Sequence, residues 1–210
     1  MLHLVRHGEV HNPDGILYGR LPGYRLSELG HRMAEAAALE LAGSDRAIAR
    51  LIASPLERAQ QSARPISSAF SLEIGTDERI IEPTNSFEGL KGSGPDSDFK
   101  KPRYWHRYWN PLRPSWGEPY RSIAHRVRDA MDEAWANTRG GDIVMVAHQS
   151  PIWIAHLDVA GESLFHNPAK RRCDLSSITS FEKRGERWFE VGYRSPAASL
   201  LVEAKDVGAV

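Results

Sequence analysis

Ile143-Val144-Met145-Val146-Ala147 is an unbroken apolar run, rich in β-branched residues. A strand with no polar side has to be covered on both faces, as in the middle of a parallel sheet with helices above and below. The run stops at His148-Gln149-Ser150-Pro151, and Ile152 to Ala160 reads as a helix. Two other short apolar stretches end in the same manner. Leu2, Leu4 and Val5 lead into Arg6-His7-Gly8, and Ile48 to Ala53 leads into Ser54-Pro55. Ligands of open α/β sheets bind beyond the carboxyl ends of the strands. Three such ends therefore put reactive side chains where a ligand would sit. An arginine fork beside a neutral imidazole, with a glycine that admits close approach to bare amides, suits a dianionic phosphate.

The rest of the chain supplies the covering elements. Ser27 is a natural N-cap, Leu26, Leu29, Met33, Ala37 and Leu41 follow at helical spacing, and Gly43 is the stop. Ser54 is expected to cap a second helix with Pro55 at its first position, and Pro65 to kink or end it. Arg58 falls in that helix's first turn, near the positive end, where a cation is disfavoured unless an anion offsets it. Leu72-Glu73-Ile74 reads as a short edge strand, and Ile123, Val127, Met131 and Ala134 share one helix face. Residues 176–194 alternate as a hairpin around Arg184-Gly185-Glu186, and Leu200-Leu201-Val202 is a candidate edge strand. From about 91 to 116 the composition turns flexible, then basic and aromatic. That stretch is too short to bury its own core and is read as a cap over a substrate pocket. The expectation is one α/β domain over 1–210, a three-layer sandwich with a mostly parallel central sheet flanked by helices.

Several function classes are disfavoured. Basic and acidic side chains balance at 27 each, which gives no global attraction to nucleic acid or an anionic membrane. No stretch approaches the ~20 apolar residues of a membrane span. A lone cysteine, Cys173, and the lack of a charged-then-apolar leader lead to the expectation of a cytoplasmic protein. His7 and His11 are four apart, but Gly8 stands where a zinc protease has glutamate, so no metal is expected. Gly92 and Gly94 with Pro95 next do not make a dinucleotide site, and no P-loop is present, so no cofactor is expected. His3, His31, His125, His156 and His166 are read as packed or surface histidines, and Arg20 as either a third substrate cation or a solvated surface arginine, with the surface reading slightly favoured.

Leu4-Val5-Arg6-His7-Gly8-Glu9 resembles the signature of the histidine phosphatase superfamily, the phosphoglycerate-mutase-like or RHG enzymes. Ser54-Pro55-Leu56-Glu57-Arg58-Ala59 resembles that family's second block, and His148 its second histidine block, with Gln149 in place of the usual glycine. The resemblance implies a phosphoglycerate mutase-like fold and a phosphohistidine on His7. It implies that Arg6, Arg58 and His148 hold the phosphoryl oxygens. Glu82, a few residues before Phe87-Glu88-Gly89, is the matching proton donor, Glu88 a structural residue, and Glu78 a poorer match. Asn12, the backbone around Gly19 and Gln149 would touch phosphate. The implied activity is that of a metal-independent phosphoric monoester hydrolase of the histidine acid phosphatase type, acting on a small phosphorylated metabolite. A cofactor-dependent phosphoglycerate mutase would use the same residues, a binding module is a third reading, and a homodimer stays open.

Overall fold

The computed structural model describes residues 1–92, 97–98, 101–103, 106 and 116–206. Among them are the strands β1 (Leu2–Arg6), β2 (Ile48–Ala53), β3 (Ile74–Thr76), β4 (Asp142–Ala147), β5 (Ile178–Arg184) and β6 (Arg187–Arg194). The α-helices are α1 (Glu28–Ala42), α2 (Glu57–Phe70), α3 (Tyr120–Ala136) and α4 (Gln149–Ala160). The strands form one mixed sheet in the order β3-β2-β4-β1-β5-β6. β3, β2, β4 and β1 run parallel, while β5 is antiparallel to β1 and β6 to β5.

β1 and β4 are buried along their whole length. The pleat sends their alternate side chains to opposite faces. Leu2, Leu4, Ile143 and Met145 pack with Val127 and Met131 of α3 and Ile154 of α4. Val5, Val144 and Val146 pack on the other side with Leu41 of α1 and Ala63 and Ile66 of α2. That division produces the expected three layers.

Local expectations were met unevenly. Ser27 does cap α1, its hydroxyl oxygen accepting from the Gly30 amide at 2.9 Å. Ser54 does not cap α2, which starts at Glu57 after Leu56 and has no side-chain cap. Pro65 does not end α2 either, because Ala59, Ala63 and Ile66 stay fully buried and hold the helix as far as Phe70. The strand near 72–74 is shifted to Ile74–Thr76, where Leu51 pairs with Ile74. Leu200 closes a short 3-10 turn rather than an edge strand, and this segment packs toward Met33 and Leu175. Most of the cap expected at about 91–116 lies outside the described residues.

The amino end of the sheet carries a buried polar knot. Asp142, 1% exposed, accepts from the Met1 ammonium, from Arg46 and from His3 Nε2 at 3.2 Å. His3 is thus a packed histidine, as expected, with Ser180 Oγ 2.8 Å from its other ring nitrogen. Among the described residues no helix is long and apolar enough to cross a membrane.

Candidate active site

β1 and β4 are neighbours in register, and their last pair is Arg6 with Ala147. The next residue on each strand is a histidine. The His7 amide donates to Ala147 O at 3.1 Å, and the ring centroids of His7 and His148 lie 5.1 Å apart. That separation is close to the spacing of adjacent strands. β2, on the other side of β4, delivers Ser54, whose Oγ lies 2.7 Å from His148 Nε2. Ser54 is spent on the site rather than on the helix. A serine before a proline signals a cap locally, whereas its partner lies 94 residues away in the chain.

α2 brings in Arg58 one residue after its start. Its Nε–H points to His7 Nε2 at 3.3 Å, its Nη2 donates to Gly19 O at 2.7 Å, and its guanidinium lies over the Tyr18 ring. His7, His148, Arg6 and Arg58 are each no more than 3% exposed. Burial lowers the pKa of Arg58, so the guanidinium is held where a cation is unfavourable without an anion.

The protonation pattern follows from the bonds. His7 Nδ1 lies 2.7 Å from Gly8 O. A carbonyl can only accept, so Nδ1 carries the hydrogen and Nε2 keeps its lone pair. Burial, then Arg58 and Arg6, hold the His7 pKa well below the usual imidazole value, and His148 is held low by burial and Arg58. His7 is therefore neutral, with its Nε2 electron pair turned to the Arg58 guanidinium. His148 Nδ1 and Arg6 Nε are buried polar atoms with no hydrogen-bond partner. Such atoms are costly unless a ligand satisfies them.

Glu82 follows the 3-10 turn Glu78–Ile80, and its Oε2 stands 3.7 Å from His148 Nδ1. Burial raises its pKa, opposed by Arg58, Arg171 and Arg6, so the acid keeps its proton to higher pH than an ordinary carboxylate. Arg20 is not a free surface residue. Its Nε donates to the Glu82 carbonyl and its amide to Glu88 Oε1 at 3.0 Å. Glu88 thus fixes the loop at Gly19, which has φ +39°, and where a Cβ would lie 2.1 Å from the Glu88 carboxylate. Asn12 spends its amide on Ile16, closing its own loop. Gln149 opens α4, and its Oε1 accepts from Arg171 Nη1 at 3.3 Å.

Three features had no sequence signal. Gly8 and Gly30 face each other so closely that a Cβ on Gly30 would lie 2.0 Å from Glu9 O. Asp206 reaches Arg6 bidentately at 2.6 and 2.8 Å, while Arg6 Nη1 also donates to Cys173 O. Arg171 joins Glu82 in lining the cleft beside the pocket. Asp206 and Arg171 belong to segments without hydrophobic periodicity, so nothing local marks them.

A model of the histidine phosphatase superfamily (branch 1) matches residues 2–195. The chain belongs to the histidine phosphatase superfamily. This superfamily member is 48% identical over 197 residues to the uncharacterized protein Rv0525 of Mycobacterium tuberculosis, covering 94% of this chain and 96% of the other. It is 34% identical over 152 residues to a 2,3-bisphosphoglycerate-dependent phosphoglycerate mutase of Thermoplasma acidophilum, covering 71% and 70%. Among solved structures it resembles mycobacterial glucosyl-3-phosphoglycerate phosphatase Rv2419c in complex with VO3. That match has a TM-score of 0.73, 27% identity, and coverage of 90% of this chain and 96% of the other.

Proposed function

We propose that this chain hydrolyses a small phosphomonoester, without a metal, through a phosphohistidine on His7 Nε2. The observation that carries the reading is the unprotonated His7 Nε2, which accepts from Arg58 Nε at 3.3 Å in a buried pocket with His148 alongside. In the first step Nε2 attacks phosphorus, the bond to the leaving oxygen breaks, and the Glu82 carboxyl gives that oxygen its proton. In the second, Glu82 takes a proton from water, the hydroxide attacks phosphorus, and the P–N bond breaks to release inorganic phosphate. Arg6, Arg58 and His148 would bind the equatorial oxygens and stabilise the charge that spreads over them. The amides near Gly19, Asn12 and the α4 amino terminus at Gln149 would complete the shell.

The histidine acid phosphatase assignment is part of this proposal, as is cytoplasmic residence, which the lone buried Cys173 suits. The match to a phosphoglycerate mutase supports one rival, in which a second hydroxyl rather than water receives the phosphoryl group. The test is turnover of p-nitrophenyl phosphate in EDTA, with alkaline quench and intact mass to trap the intermediate. Wild type should gain one phosphoryl group and His7→Ala none. Rapid interconversion of 2- and 3-phosphoglycerate with poor hydrolysis would favour the mutase instead.

A further inference from the structure

Arg171 stands apart from the residues that face phosphorus, yet it opens onto the same cleft as Glu82, Tyr120 and Ser150. Its guanidinium is partly buried. The partners found for it are both neutral: Nε donates to His166 Nε2 at 2.9 Å, and Nη1 to Gln149 Oε1 at 3.3 Å. Arg6 is paired with Asp206 and Arg126 with Glu118, whereas Arg58, like Arg171, hydrogen-bonds only to neutral groups among the described residues. Among the described residues Arg171 is in no such ion pair. Burial lowers its pKa, and the acid that chiefly offsets this is Glu82, whose own pKa burial raises. A guanidinium has five N–H donors, so several remain for a ligand.

The position is fixed in advance. His166 Nδ1–H donates to Leu164 O at 2.8 Å, which leaves Nε2 with the lone pair that receives Arg171. The imidazole in turn lies against Tyr120, with ring centroids 5.2 Å apart. A cation locked by neutral partners costs a ligand little ordering entropy. A single planar fork can hold a carboxylate through two parallel hydrogen bonds.

Resting on the phosphatase reading above, we propose that Arg171, positioned by His166 and Gln149, binds a carboxylate on the leaving-group part of the substrate. The substrate class is then a phosphomonoester of a hydroxy acid. A carboxylate seated there also places a negative charge near Glu82, which favours the protonated form that the first step needs.

The probes are matched pairs differing at one carboxylate: O-phosphoserine with O-phosphoethanolamine, and 3-phosphoglycerate with glycerol 3-phosphate. Each is measured as a competitive inhibitor of p-nitrophenyl phosphate hydrolysis, so slow turnover of the probe does not matter. In wild type the carboxylate member should bind at least about tenfold more tightly, as expected of a charge-assisted fork. Arg171→Gln should shrink that ratio to about twofold, and Arg171→Lys should keep part of it. Equal potency within both pairs in wild type overturns the proposal, and so does a ratio that Arg171→Gln leaves intact. If wild type does not turn over p-nitrophenyl phosphate, the phosphatase reading fails by itself. The same pairs are then compared by calorimetric titration, with the same preference expected and the same equality overturning it.

Discussion

Glu82→Gln keeps the shape of the side chain and removes its proton. Glu82 is 8% exposed, and burial raises its pKa in spite of Arg58, Arg171 and Arg6 nearby. A positioned acid contributes roughly 10²–10⁴-fold to rate. That is about 2.7–5.4 kcal/mol of barrier, at about 1.36 kcal/mol per tenfold. The full amount applies only where the leaving oxygen is a poor one. An alkoxide needs the proton as the bond breaks, whereas p-nitrophenolate departs without it. In the variant, kcat/KM on an alkyl phosphomonoester should fall about 10³-fold, and on p-nitrophenyl phosphate less than about tenfold. The pH dependence has a definite sign. In the proposed mechanism Glu82 acts as the acid, so alkyl-ester kcat/KM should be full below its raised pKa and decline as pH rises through it. Burial, then Arg58 and Arg6, hold the His7 pKa well below the usual imidazole value, so any limb from His7 falls on the acid side and not on the alkaline decline. Steady-state kinetics on both esters from pH 4 to 9, in wild type and variant, is the assay. Equal losses on the two esters, with the alkaline decline still present in the variant, would refute the assignment of Glu82 as the acid.

Gly30→Ala should destabilise the fold by about 1–3 kcal/mol through overpacking against Glu9 O, read as a lower urea midpoint. Asp142→Asn should cost stability at the lower end of the roughly 3–5 kcal/mol typical of breaking a buried pair, since Arg46 is half exposed. Its carboxylate is held below the unfolded value of 3.8, so the contribution is present above that pH and is lost as pH falls below it. Thermal melts of the two proteins should therefore converge toward acid. Asp206→Asn should strengthen inhibition by inorganic phosphate about tenfold, because phosphate no longer competes with a carboxylate on Arg6. An unchanged inhibition constant would show that Arg6 meets phosphate with Asp206 in place.

The reactive edge was legible because apolar strands ended in chemistry three times over: at Arg6-His7, at Ser54 before Arg58, and at His148. Burial on both faces made Ile143–Ala147 central, and the structure pairs it with both β1 and β2. What escaped was set by contacts far apart in sequence. Ser54 carries a local capping signal but answers to His148, and Pro65 carries a breaking signal that the buried Ala59, Ala63 and Ile66 override. Gly30 looks like an ordinary weak helix residue until Glu9 is seen against it. Arg20, read as surface, is spent on the Glu82 carbonyl.

The two imidazoles are brought side by side by the hydrogen-bonded pairing of β1 with β4. Their separation is inherited from the sheet, so substitutions elsewhere on those strands can alter stability while leaving the gap between the rings unchanged. Insertion or loss of one residue just ahead of Arg6 does the reverse. It turns His7 to the opposite face of the sheet, and a chain that still folds would have lost the imidazole proposed to attack phosphorus.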